Sequence, residues 1–316
     1  MVSEGRLAVS HRIRPADLLV AGYNVVLLAV WSPLADAAWF APWIAAAHAA
    51  GAALPLVLGR MNERWWKGLA GALRELYPLL CLAAFWSELG LLHAIGPEAA
   101  YDAVIESVDL ALFGRHLNLV WMPAMPYPAL SELMHFFYVF YYPLIFLPPL
   151  AMCVAGRADA LRDMTLRLMV TYLGCYLLYL AFPVVGPAEL LPHYQGPLTD
   201  GFFYGLTHAA RTAGDSLGTA FPSSHVAGST TMAVLAWRWL PRPLAMVITV
   251  QAAGVFLATV YTQNHYPVDA LAGLIWALGL QLLIVPAVRA NYAAPRVPVL
   301  PAHASSLREP VTGGGQ

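Results

Sequence analysis

Long apolar runs recur along most of this chain, each closed by a charged or Pro- and Gly-rich stretch. Eight of them, over residues 18–38, 42–58, 76–95, 130–154, 166–186, 222–240, 243–262 and 268–288, come near the ~20 residues a helix needs to cross bilayer hydrocarbon. The second, short and rich in Ala and Gly, is the weakest. The pattern predicts an all-α fold, a polytopic membrane helical bundle of about eight transmembrane helices. Ala35-Asp36-Ala37 mimics a signal-peptidase site, but the next apolar run follows directly, so residues 18–38 read as a first helix. Residues 96–129 are semi-polar, with Trp121, Met122 and Met125, and are expected to lie along the membrane surface or to cover the bundle mouth. No internal repeat is visible. The stretch 291–316, rich in Pro, Ser and Gly, is expected to be a disordered tail.

Composition agrees with a membrane protein. Hydrophobic residues make up 59% and charged residues 11%, against about 25% charged in an average soluble domain. A net charge of −1 gives no electrostatic case for nucleic acid. The three cysteines, Cys81, Cys153 and Cys175, lie in apolar runs without C-x-x-C spacing, which fits neither a disulfide framework nor a zinc site. Charge placement sets the sidedness. With eight spans and the N-terminus inside, Arg115 and Arg211 fall in outer segments and every other Lys and Arg falls in an inner one. That puts both the N- and C-termini inside.

Two short segments then stand at outer helix ends. Phe221-Pro222-Ser223-Ser224-His225 opens the sixth span, and Asn264-His265-Tyr266-Pro267-Val268-Asp269 opens the eighth. Pro222 and Pro267 each suit the first turn of a helix, where a missing N–H costs nothing. Helix N-termini attract anions through their free N–H groups and macrodipole. Ser223 and Ser224 add hydroxyl donors for phosphate oxygens. His265 and Asp269, four residues apart, share one helical face. Asp269 is therefore expected to accept the imidazole N–H and leave the other nitrogen of His265 as a nucleophile, with His225 as the general acid for the leaving oxygen. Arg115 and Arg211, the two outer cations, are candidate phosphate ligands. His135, Tyr138 and Tyr141 form a stripe best read as packing or an aromatic belt. Glu88 reads as a structural hydrogen-bonding group. His193 and His208 are given no role.

Pro222-Ser223-Ser224-His225 followed by His265-x-x-x-Asp269 resembles the type 2 phosphatidic acid phosphatase family, over roughly residues 100–290 and including Asp109-Leu110-Ala111-Leu112-Phe113-Gly114. The resemblance implies a metal-free, cofactor-free enzyme in which the residue at His265 forms a phosphohistidine, that at His225 protonates the leaving alcohol and that at Asp269 orients the nucleophile. It implies a membrane lipid as substrate, with water or a lipid or headgroup alcohol as acceptor. It also divides the chain into N-terminal helices over 1–95, a catalytic membrane domain over 96–290 and the tail.

The chain departs from the family pattern at three cation positions. Gly186-Pro187 stands where Arg-Pro is usual, Tyr179 at the Lys position, and Thr259 at the Arg position six residues before His265. Lys67 and Arg74 have the Lys-x6-Arg spacing, but Glu75 follows and the topology puts them on the opposite side. A cation-poor site is biased toward phosphodiester monoanions, since each charge-assisted hydrogen bond contributes about 1.5–3 kcal/mol. The chain thus resembles the branch of inositol phosphorylceramide and sphingomyelin synthases. Other readings are a transporter or flippase that binds lipid through the polar cluster, a metal-dependent membrane hydrolase with His225, His265 and Asp269 as ligands, and a non-catalytic membrane scaffold.

Overall fold

Alternating apolar runs and Pro- or Gly-rich breaks leave the backbone one way to satisfy its hydrogen bonds in lipid, the helix. The computed structural model describes residues 13–61, 68–95 and 101–286, and no strand forms among them. Thirteen α-helices follow in order: α1 (Pro15–Trp31), α2 (Ala41–Arg60), α3 (Leu69–Ile95), α4 (Asp102–Phe113), α5 (Leu117–Ala124), α6 (Pro128–Val139), α7 (Tyr141–Val154), α8 (Ala158–Ala181), α9 (Pro187–Leu190), α10 (Phe202–Gly214), α11 (Ser224–Trp239), α12 (Arg242–Tyr261) and α13 (Pro267–Gly279). A π-helical turn, Leu280–Ile284, extends α13. The expected tail, 291–316, and the chain ends whose side was inferred from charge lie outside the described residues.

Among the described residues six helical stretches are long and apolar enough to cross a membrane, α1 and α13 being counted with the turns that extend them to Leu34 and Ile284, and the bent pair of α6 and α7 makes a seventh if it is one span. α11 occupies the place of the remaining expected span but has only 16 residues. The expected span at 130–154 is not straight: it bends by 41° between α6 and α7. Pro143 explains the break, because it has no N–H for the Val139 carbonyl and its ring collides with that carbonyl. The expected span at 166–186 is shifted as well. α8 starts at Ala158, because Asp163 and Arg167 pair with each other along the helix (3.0 Å) and Arg162 reaches Glu75 (2.7 Å). It stops at Ala181 because Pro183 disfavours helical geometry at Phe182.

α11 is the hub. It packs against α7, α8, α12 and α13, and most of its residues are buried. A polar chain runs beside it: the Thr171 and Thr231 hydroxyls meet at 3.0 Å, Gln281 donates to Thr171 (3.1 Å), and Arg167 donates to Gln281 (3.0 Å). At the end of the bundle away from His225, Arg238 at the close of α11 pairs with Asp163 (3.0 Å). At the starts of α1, α3 and α8, Asp17 takes both Nη atoms of Arg74 (2.8 and 2.7 Å) and the Tyr77 hydroxyl (2.6 Å), while Glu75 takes Arg14 and Arg162. Glu88, expected to be structural, is: it joins Trp31 and His48 (2.7 Å), binding α1 and α2 to α3. These N-terminal helices share one hydrophobic core with α7, α8 and α11. Cys153 and Cys175 are buried and Cys81 half-buried, all as free thiols.

Asp17 and Arg74 have fully buried side chains. Removing one partner of such a pair leaves an uncompensated charge and costs about 3–5 kcal/mol. Asp17→Ala is therefore expected to lower the thermal midpoint in detergent far more than Asp36→Ala in the loop after α1. Equal midpoints for the two variants would contradict the structural role of the pair.

Candidate active site

Both motifs lie at one end of the bundle because α11 and α13 begin side by side. The Ser223 amide donates to the Asp269 carbonyl (3.0 Å), which ties one helix start to the other. A Cβ on Gly273 would collide with the Ser223 carbonyl, so the absence of a side chain there allows the approach. Pro267 is in the first turn of α13, as expected. Pro222 is not in α11: the N-cap is Ser223, whose Oγ accepts the Val226 amide (3.4 Å), so helical geometry begins one residue later. Pro222 serves through its carbonyl, which accepts the Tyr179 hydroxyl (2.7 Å). A bridge between Val184 and Thr219 also holds the approach to the motif: the Val184 amide donates to the Gly218 carbonyl (3.2 Å), and the Val184 carbonyl accepts the Ala220 amide (2.9 Å).

The start of α13 is closed to anions. The Val268 amide donates to Asp109 Oδ1 (3.0 Å) and the Tyr266 amide to Asp269 Oδ2 (2.9 Å). Asp109, fully buried on α4, belongs to the Asp109–Gly114 segment noted in the sequence. Burial pushes its carboxyl above the ordinary range, against the pull of the Val268 N–H and His116. Two turns earlier, Asp102 takes the amides of Val185 (3.0 Å) and Gly186 (2.7 Å). α4 therefore lies over the bundle mouth, one of the two expectations for residues 96–129, and fixes both loops beside the site. A carboxylate every seventh residue on one face of α4 is the only sequence signal for this role.

His265 Nδ1 lies 3.4 Å from Asp269 Oδ2, so the carboxylate fixes the ring and frees Nε2. The His225 ring is 5.9 Å from that of His265. Its Nε2 is buried without a partner. Tyr138 stacks on His225 at 4.9 Å and Tyr141 lies against it at 4.3 Å. The 41° bend brings these tyrosines, from two helices, onto one imidazole. Tyr138 and Tyr141, expected as packing or an aromatic belt, pack on the candidate acid. His135 stays apart, beside Tyr204 and Tyr261.

A cavity of about 50 Å³ joins His225 and His265 to Arg211, Asp215, Glu189 and Asn264, with Trp86 and Tyr138 at its walls. Arg211, on the last turn of α10, is held by Glu189 (3.0 Å) and Asp215 (3.0 Å). Burial pushes the Asp215 carboxyl up, while Arg211 pulls it back. Burial, then Arg211, holds His208 down to about 4, so it is neutral beside this pair. Arg115 is exposed after α4 and does not line the cavity. Ser223 sits beneath the site as the cap, and Ser224 faces a second, apolar cavity of about 290 Å³ that also reaches His225 and Trp86.

The three positions without cations build backbone instead. Tyr179 bonds Pro222, Gly186 donates to Asp102 at φ 91°, and the Thr259 carbonyl accepts the amides of Asn264 (3.1 Å) and His265 (3.0 Å). Among the described residues no group of three His, Cys, Asp or Glu side chains is placed to hold a metal ion.

Residues 106–283, more than half of the chain, match the PAP2 superfamily. The chain belongs to the PAP2 superfamily. Its members are phosphatases and phosphotransferases, which makes this chain an enzyme of that general type. No curated protein and no solved structure matches it. The PAP2 match begins on α4 and ends in the π-helical turn after α13, so it takes in Asp109, both histidines and Asp269 and leaves α1–α3 outside.

Gly273→Val is expected to part the two helix starts and cut turnover at least about tenfold, because reacting groups misplaced by ~1 Å lose far more than that. Gly279→Val, where nothing lies within 4 Å, is the control. Matching rates in the two variants would refute the helix contact as the device that assembles the site.

Proposed function

We propose that this chain is an integral membrane lipid phosphate phosphatase or headgroup phosphotransferase that works through a phosphohistidine on His265. The observation that carries the reading is a histidine oriented by a buried carboxylate and facing a second histidine with an unpartnered nitrogen, both on one cavity. His265 Nε2 attacks phosphorus. The bond from phosphorus to the lipid oxygen breaks as a P–N bond forms, and His225 gives its proton to the departing alcohol. In the second half, an acceptor O–H attacks the phosphohistidine, its proton passes to His225, and the P–N bond breaks. Asp269 stabilises the imidazolium throughout. Arg211 is the cation at the phosphoryl group, with the Ser224 end of α11 beside it. Arg115 and Ser223 remain proposed phosphate ligands of lesser weight, since one is away from the cavity and the other is engaged as a cap.

The apolar cavity supports a lipid partner. It reaches His225, the acid for the leaving oxygen, and is walled by Leu79, Leu82, Tyr141, Ile145 and Phe146 from α3 and α7. The site end of the bundle carries Arg211 and Arg115, whereas Arg14, Arg74, Arg162 and Arg238 gather at the other end. By the charge rule for loops, this supports an active site on the outer face, periplasmic in a bacterial host or luminal otherwise, with both termini inside. We assign catalysis to residues 96–290, with 1–95 as supporting helices. A single cation that is itself shared by two carboxylates supports a phosphodiester and transfer to an alcohol, as in the inositol phosphorylceramide and sphingomyelin synthase branch. A water acceptor gives phosphatase activity from the same intermediate.

In lipid nanodiscs with chelator present, His265→Ala is expected to abolish turnover and the alkali-stable labelled intermediate. His225→Ala is expected to slow turnover by ~10²–10⁴-fold, the usual contribution of a general acid. Wild-type rates in either variant would sink the mechanism, and loss of wild-type activity to the chelator would favour the metal-hydrolase reading. Ala83, exposed at the rim of the apolar cavity, tests the lipid route. Ala83→Trp is expected to lower kcat/KM about tenfold for long-chain substrate and little for a short-chain soluble analogue. An equal effect on both would remove the cavity from the lipid path.

A further inference from the structure

We propose that the polar wall facing the two histidines receives a primary ammonium group, so that the substrate is an aminoalkyl phosphodiester lipid. This rests on the phosphohistidine reading and adds the chemistry of the headgroup. The wall is made of acceptors. Glu189 and Asp215 each spend one oxygen on Arg211, through Nη2 and Nε; both line the cavity, and their side chains are 49% and 36% exposed. One guanidinium against two carboxylates leaves a net negative charge.

Asn264 contributes a third acceptor. The Thr262 hydroxyl donates to the Ala258 carbonyl (2.8 Å), so toward Asn264 it can only accept, and it takes Nδ2 at 2.6 Å. That leaves Asn264 Oδ1 as the free end of the amide, and this atom is buried without a partner in a residue only 7% exposed that lines the cavity. Trp86 and Tyr138 line the same cavity, and aromatic faces attract cations within ~6 Å.

The wall discriminates by charge and by size. A phosphomonoester dianion meets the net negative charge and is disfavoured. A neutral polyol headgroup gains hydrogen bonds but no Coulomb attraction. A primary ammonium has three donors for the three acceptor groups. The cavity, about 50 Å³, holds few groups of water size, each needing ~10–15 Å³. An –NH₃⁺ is a single group of that size, whereas a trimethylammonium would fill most of the cavity and leave little room for the phosphoryl group beside it.

The test compares phosphatidylethanolamine, phosphatidylcholine, phosphatidylglycerol and phosphatidic acid as substrates of the full chain in nanodiscs. Phosphatidylethanolamine is expected to lead by about tenfold in kcat/KM. Glu189→Gln, on the short exposed helix α9, and Asp215→Asn are each expected to lower the ethanolamine-to-glycerol ratio about tenfold and to raise the relative rate with phosphatidic acid. A wild-type preference for any of the other three lipids, or an unchanged ratio in both variants, overturns the proposal. Binding supplies a readout without turnover. Phosphoethanolamine is expected to bind the His265→Ala protein more tightly than glycerol 3-phosphate does, and to lose that advantage when Glu189→Gln is added; equal binding overturns the proposal. Turnover persisting in His265→Ala would instead defeat the phosphohistidine reading, and the binding comparison would still decide the headgroup.

Discussion

The contact between two helix starts governs the site. α11 and α13 approach closely enough for the Ser223 amide to reach the Asp269 carbonyl, and Gly273 permits it by having no side chain to meet the Ser223 carbonyl. His225 lies two residues from one member of that bond, and the carboxylate that orients His265 belongs to the other. Relative placement of the histidines is thus set by main chain rather than by long side chains. A main-chain frame loses little conformational entropy when substrate binds, so positioning is complete before the chemistry starts. Around it, α4 adds Asp109 and Asp102, whose carboxylates end on the amides of Val268, Val185 and Gly186.

Charge is then managed by subtraction. The PAP2 resemblance leads one to look for cations at residues 179, 186 and 259. Tyr179, Gly186 and Thr259 instead hold the loops that carry the motifs. Arg211 comes from a separate helix, α10, and is shared by Glu189 and Asp215. A guanidinium between two carboxylates is a directed donor whose own positive charge is more than offset. It can orient a phosphoryl oxygen without drawing in free phosphate.

Much of this was legible in the sequence, and the reasons differ by feature. The spans are legible because lipid imposes a minimum apolar length. The His265–Asp269 pair is legible because helical spacing fixes which side chains meet, and the structure brings them to 3.4 Å. Features that depend on long-range geometry are not legible. Pro222 fits a first helical turn in isolation, but Ser223 is the better cap and excludes it. In the sequence Arg115 and Arg211 are equivalent candidates; only the packing of α10 beside Glu132 and the reach of α9 bring Arg211 to the cavity. Tyr138 and Tyr141 become ring contacts of His225 through a bend whose cause, Pro143, is visible while its direction is not.

The helix that carries His225 is also too short to stand among the candidate spans, and its small and polar composition has a physical cause. α11 is enclosed by α7, α8, α12 and α13, so lipid does not select for apolar side chains along it. It is free to carry Gly228, Ser229 and Thr231. Gly228 leaves room for the Tyr172 hydroxyl, which meets Tyr141 at 2.5 Å, and Tyr141 in turn lies against His225. A more hydrophobic α11 with a residue larger than Gly at position 228 would read as a clearer span and would displace Tyr172, Tyr141 and the imidazole behind them. In a bundle of this kind the small and polar residues that weaken the transmembrane signal are the ones that allow ring and helix to be packed to a fixed position.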